Sequence, residues 1–97
     1  MAMYITLYNF TDQGVRTIED TTKRASAFAE LAKSKGVAVK EVFWTLGEYD
    51  VVTIFEAPND MIVTALSLAL SKQGNVRTHT LKAFSQSEMD DILGRIA

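Results

Sequence analysis

His79 is the one histidine of the chain, and cysteine is absent. The missing thiols exclude disulfides, iron–sulfur clusters, thiolate metal sites and cysteine nucleophiles. A solitary histidine also argues against an all-protein zinc site, so no metal and no cofactor is expected. One acid–base arrangement stays open: His79 paired with Asp50 or Glu56, if the strand carrying His79 approaches those acids across a dimer interface. Asp50 and Glu56 cannot pair with each other, because six residues of extended chain at about 3.3 Å each hold them roughly 20 Å apart. No Gly-x-Ser-x-Gly elbow, phosphate-binding loop or dinucleotide fingerprint occurs, so hydrolase, nucleotide and nicotinamide chemistry lack their enabling residues. A haem axial role needs only one histidine, yet nothing else here marks a haem pocket.

Binding is the broader possibility. Trp44, Tyr49, Asp50 and His79 combine aromatic walls with a few hydrogen-bonding groups, which suits a pocket for a small, largely apolar ligand. His79 and Asp50 are the candidates for any catalytic role. The competing account makes Trp44 and Tyr49 interface packing and His79 a solvated residue of an edge strand. In that account Gly47 supplies a turn with positive φ and Asp50 accepts backbone N–H groups across the hairpin neck.

These residues must be positioned by short elements. Residues 3–10 are β-branched and aromatic, with Met3, Ile5 and Leu7 on one face and Tyr4, Tyr8 and Phe10 on the other, which predicts a strand. Thr11 to Gly14 carries capping and turn chemistry. Weak helix formers at Thr17, Ile18, Thr21 and Thr22 predict a short turn there, with a fresh helix start near Asp20. Ala25, Phe28, Ala29 and Ala32 then form an inward stripe, with Lys23, Arg24, Glu30, Lys33 and Lys35 assigned to water, and Gly36 ends the helix. Val37–Leu46 predicts a second strand, with Val42, Trp44 and Leu46 on one face and Val39, Glu41 and Phe43 on the other. A short connection leads to a third strand over Val51–Glu56, as a hairpin. Pro58-Asn59-Asp60 caps a buried helix over Met61–Gln73, and Val76–Phe84 is a fourth strand. Ser85 and Glu88 have capping-box spacing for a last helix, Ser87–Ile96, packed through Met89, Ile92 and Ile96.

The order β-α-β-β-α-β with a C-terminal helix predicts an α+β, ferredoxin-like sandwich occupying residues 1–97 as one domain. Right-handed connections put both crossover helices on one face of the four-stranded sheet. The other face, roughly 19 by 23 Å, would then expose apolar residues at the upper limit for a monomer. A homodimer stacked through that face is the simplest remedy, unless the last helix covers it.

Composition narrows the partners. With 47% hydrophobic and 23% charged residues and a net charge of −2, a compact domain is expected and a phosphate backbone is not. The RNA-recognition domain shares this element order, but its third strand needs basic and aromatic residues where Asp50-Val51-Val52-Thr53-Ile54-Phe55 stands. No membrane partner is expected, since Met61–Leu70 is about half the roughly twenty residues of a span. The start at Met-Ala-Met-Tyr lacks a basic region and apolar run, so the expected location is cytoplasmic.

Gly47-Glu48-Tyr49-Asp50, within Thr45–Val52, resembles the Gly-x-Tyr-Asp signature that gives the GYD-domain family its name. Phe10-Thr11-Asp12-Gln13-Gly14, Arg24, Glu56-Ala57-Pro58, Gly74–Thr78 and Ala83-Phe84 are similar to that family's pattern in the same order, so the resemblance spans most of the chain. It implies a dimeric α+β barrel, related in architecture to cofactor-free isomerases, small monooxygenases and ligand-sensing modules, and carries no established activity. The expectation is a homodimeric module for a small apolar ligand. A cofactor-free isomerase- or monooxygenase-like enzyme and a purely structural dimer are the alternatives.

Overall fold

The computed structural model describes residues 1–96. Four strands, β1 (Ala2–Phe10), β2 (Ala38–Trp44), β3 (Val51–Ala57) and β4 (Val76–Ala83), form one sheet in the order β2-β3-β1-β4. All neighbouring strands are antiparallel. Four helices join or follow them: α1 (Asp12–Arg16), α2 (Thr21–Ser34), α3 (Asp60–Ser71) and α4 (Gln86–Gly94). A single 3-10 turn, Ile18–Asp20, separates α1 from α2, as the β-branched residues there predict. The architecture is α+β and ferredoxin-like.

Strand alternation decides which face is covered. β3 alternates strictly, with Val51, Thr53, Phe55 and Ala57 buried and Val52, Ile54 and Glu56 only half-buried. In register with it, β1 buries Tyr4, Thr6 and Tyr8 beneath the helices. The core is Tyr4, Ala32, Val37, Phe55, Ala57, Val63 and Leu66, with the Tyr4 and Phe55 rings stacked 5.5 Å apart. The opposite face presents Met3, Ile5, Leu7, Val52, Ile54 and Leu81, and half-buried or exposed as they are, no helix lies over them.

Helix starts follow their side chains. Thr11 Oγ1 accepts the Gly14 N–H at 3.1 Å, and Asn59 Oδ1 accepts the Ile62 N–H at 3.0 Å. At α4, Ser85 Oγ accepts the Glu88 N–H while Glu88 Oε1 accepts the Ser85 N–H, completing the capping box.

Three expectations need correction. A β-bulge between Val39 and Glu41 shifts the register, so Val39 joins Val42 and Trp44 on the helix-side face while Glu41 and Phe43 take the open one. The extra residue of the bulge breaks the two-residue period on which the predicted faces relied. Next, α3 is only half-covered: Val63 and Leu66 are buried, but Met61 is 83% and Leu68 65% exposed. The helix is apolar on more sides than one sheet face can cover. Finally, of the side of α4 expected to pack, only Ile92 is half-buried, while Met89 and Ile96 are exposed, so the helix is loosely covered.

Candidate functional site

A cavity lies between the sheet and the helix layer, beside Trp44. It gives the centre of a water-sized sphere about 60 Å³ to occupy, enough for roughly four to six waters at about 10–15 Å³ each. Tyr8, Phe10, Val39, Val42, Trp44, Val51 and Thr53 form its sheet side, and Thr21, Arg24, Ala25, Phe28 and Ala29 come from α2. Leu70, Gln73, Asn75 and Val76 close it from the end of α3 and the start of β4. The cavity follows from the inward stripe of α2, since alanines at 25 and 29 leave unfilled the room that a Leu or Phe would occupy.

Hydrogen bonds hold these walls. Trp44 Nε1 donates to Thr21 Oγ1 at 3.0 Å, tying the end of β2 to the first turn of α2. The Tyr8 hydroxyl and Thr53 Oγ1 are 3.0 Å apart and buried, and burial pushes the Tyr8 phenol above its ordinary pKa, against the hydrogen bonds with Thr53 and Thr6. Arg24 Nη1 donates to the Thr17 carbonyl at 2.8 Å and to Thr17 Oγ1 at 2.9 Å, while Nη2 donates to the Gly14 carbonyl at 3.3 Å. Arg24 therefore turns back over α1 and lines the cavity, where the sequence reading assigned it to water. Gly14 fits this corner because a Cβ there would stand 2.1 Å from the Asn75 carbonyl oxygen.

The four proposed ligand-binding residues are divided between two faces. Trp44 lines the cavity on the helix side. Tyr49 and His79 meet on the open side, where His79 is paired with Leu7 in register; their rings are 5.7 Å apart in an edge-on contact. Asp50 stands between them as a continuation of the sheet. Its Oδ2 accepts the Phe10 N–H and its own N–H donates to the Tyr8 carbonyl, each at 2.8 Å, while its carbonyl accepts the Thr45 N–H. The Asp50 carboxylate thus bonds to β1 and not across its own hairpin, where only its backbone carbonyl accepts. Gly47 has φ +124°, the positive value expected of the connecting turn.

Apart from Trp44, no lining residue was a predicted site residue; those missed include Tyr8, Phe10, Arg24, Ala25, Phe28, Ala29, Gln73 and Asn75. A signal existed for part of the set, because Ala25, Phe28 and Ala29 share the inward stripe and its small residues mark unfilled space. Gln73 and Asn75 arrive through the fold alone, carried to the start of α2 by the return of α3. Among the described residues no cluster of His, Asp and Glu could hold a metal ion, and no helix is long and apolar enough to cross a membrane.

Residues 4–93 match the GYD domain. The chain belongs to the GYD-domain family. A relative from Thermus thermophilus, the "Glutamine synthetase and cystathionine beta-lyase binding protein", is 32% identical over 90 residues, which cover 92% of this chain and 95% of the relative. The crystal structure of TTHA0845, also from Thermus thermophilus, shares the fold, with a TM-score of 0.56 and 22% identity over 88% of this chain and 95% of that one. In this GYD domain the signature residues Tyr49 and Asp50 lie at the mouth of the β2–β3 hairpin, Asp50 bonded into the sheet and Tyr49 against His79.

Proposed function

We propose that this GYD domain is a homodimeric module that binds a small, largely apolar molecule in the cavity beside Trp44. The observation that carries the reading is the cavity lining: aromatic and aliphatic side chains on all sides, with Arg24 as its one charged residue. Without a His, Asp, Glu or Lys in that lining, binding is better supported than acid–base turnover there.

The dimer half of the proposal rests on the open sheet face. Two such faces stacked together offer roughly 900 Å² of projected area, below the about 1,200 Å² of a stable interface. The uncovered apolar side of α4, with Met89 and Leu93, is the surface able to supply the remainder. A cytoplasmic location fits this role.

The test follows the one tryptophan, Trp44, which sits in the cavity. Titration with small apolar probes is expected to change its fluorescence, and Ala29→Leu, which fills the space, is expected to abolish that response while light scattering still reports a dimer. A response that survives Ala29→Leu undiminished would place the binding elsewhere and overturn the reading.

A second reading, a docking module for other proteins, is favoured by the exposed stripe Met61, Ala65 and Leu68 along α3. The name of the Thermus relative, which describes a protein-binding function, agrees with it. Measuring the binding of Met61→Glu/Leu68→Glu to glutamine synthetase, against the unsubstituted chain, decides this reading: equal binding, or none by either, removes it.

A further inference from the structure

Arg24 has an unmet electrostatic demand. Its three protein contacts are neutral oxygens, the Thr17 carbonyl, Thr17 Oγ1 and the Gly14 carbonyl. Among the described residues the ion pair found joins Lys82 to Asp60 elsewhere, and none of them brings a carboxylate to the cavity lining. Three of the five guanidinium N–H donors are used in those contacts, so two remain. A half-buried cation against an apolar cavity favours a ligand that brings the opposite charge, since an occupant with no acceptor would displace water from the guanidinium and return nothing, and a neutral acceptor would return a weaker bond than a charged one.

We infer that the ligand is an apolar monocarboxylate, its carboxylate paired with Arg24 and its hydrocarbon part held against Phe28, Val42 and Trp44. This deepens the cavity-binding reading above and rests on it. Charge limits the anion: one guanidinium with no second cation in the lining suits a single negative charge better than the nearly two of a phosphate monoester. Neighbouring polarity agrees, because Gln73 and Asn75 line the same space and carry amide N–H donors. Size limits the tail. The four to six waters that fit correspond to roughly 120–180 Å³ of liquid, the bulk of a short branched chain or one small ring.

The experiment compares 4-methylpentanoate with 4-methylpentan-1-ol, which share a carbon skeleton and differ in charge at pH 7.5. Each is titrated into the full chain with Trp44 fluorescence as the readout and calorimetry as a check. The acid is expected to bind about tenfold more tightly than the alcohol, as a charge-assisted bond should provide. In Arg24→Gln that preference should vanish, and in Arg24→Lys, which keeps the charge without the fork, part of it should return. Alcohol binding with no preference for the acid would overturn the inference and leave the cavity reading standing. No response to either probe would overturn both. The wild-type comparison needs no substitution, so a poorly folded Arg24 variant does not protect the inference.

Discussion

The two faces of β1 carry opposite kinds of residue, and in the reverse of the usual sense. Beneath the helices, β1 contributes Tyr4, Thr6 and Tyr8, whereas toward the side with no helix it contributes Met3, Ile5 and Leu7. An antiparallel sheet wet on one side ordinarily keeps its polar residues for water. Here the covered hydroxyls are paired: the Tyr4 hydroxyl donates to Asp60 Oδ1, Thr6 meets Thr80 at 3.0 Å, and Tyr8 meets Thr53. Burial is tolerable for them because no buried side-chain polar atom lacks a partner among the described residues. The open face has no such groups along β1 until Asn9, and its aliphatic residues gain only if something covers them. One face is completed by the chain's own helices, and the other is the face through which the proposed dimer would form.

Adjacent residues of β3 put that contrast to the test. Phe55 faces the helices and stacks on Tyr4, so Phe55→Ala should cost about 3–5 kcal/mol, measured by urea unfolding and independent of protein concentration. Ile54 faces the other way, opposite Ile5. Ile54→Glu should weaken the proposed dimer by about 3 kcal/mol or more, through an unpaired charge at its centre, and light scattering should show monomers at micromolar concentration. If Ile54→Glu changes neither mass nor stability by more than about 0.5 kcal/mol, the open face is an ordinary wet surface and the comparison breaks.

Periodicity made much of this fold legible. Strand alternation in β1, the capping box at Ser85 and Glu88, and turn residues at Gly47 all concern neighbours in sequence, and each appears as expected. The face of Val39 was not legible, because a bulge turns on how β2 pairs with β3, which residues 38–44 do not encode by themselves. Arg24 shows the same limit. A cation on a mixed helix reads as solvated, and only the folding of α1 back against Asn75 brings the Gly14 and Thr17 carbonyls to it. The candidate site was legible in part: Trp44 lines the cavity, but parity could not say that Tyr49 and His79 would meet on the opposite side. Site residues join segments distant in sequence, and pairwise register is what joins them.

Two smaller effects sharpen the account of the covered face. Asp50→Ala removes the acceptor of the Phe10 N–H and should cost about 1–3 kcal/mol by thermal or urea unfolding, with Asp50→Asn recovering part because an amide oxygen still accepts. Tyr8→Phe should cost about 1 kcal/mol at neutral pH through the lost bond to Thr53. Its larger signature is in alkali. Burial raises the folded pKa of Tyr8, so the unfolded chain loses its phenolic proton first, and the stability held below about pH 10 is lost as pH rises through the folded value. Tyr4 adds to the same slope, its phenol held up by the hydrogen bond to Asp60. Urea unfolding from pH 8 to 11 should therefore show a shallower decline in Tyr8→Phe, and an unchanged slope would mean that Tyr8 is reached by water.

The smallest expected effect is also the one that asks whether the two faces act separately. His79 touches Tyr49 edge-on across the open side, while Trp44 lines the cavity on the other. Such an aromatic contact is worth about 0.5–1.5 kcal/mol where it is buried and less where it is wet, so His79→Gln should cost at most about 0.5 kcal/mol in the monomer. The response of Trp44 to an apolar probe should stay within about twofold, because the sheet lies between the imidazole and the cavity. A dimer changes only the first number: with the open faces stacked, His79→Gln would weaken association measurably and still leave the cavity response intact. If the response disappeared instead, Tyr49 and His79 would have to reach a cavity from a second copy, and the separation of the sheet into a binding face and an association face would fail.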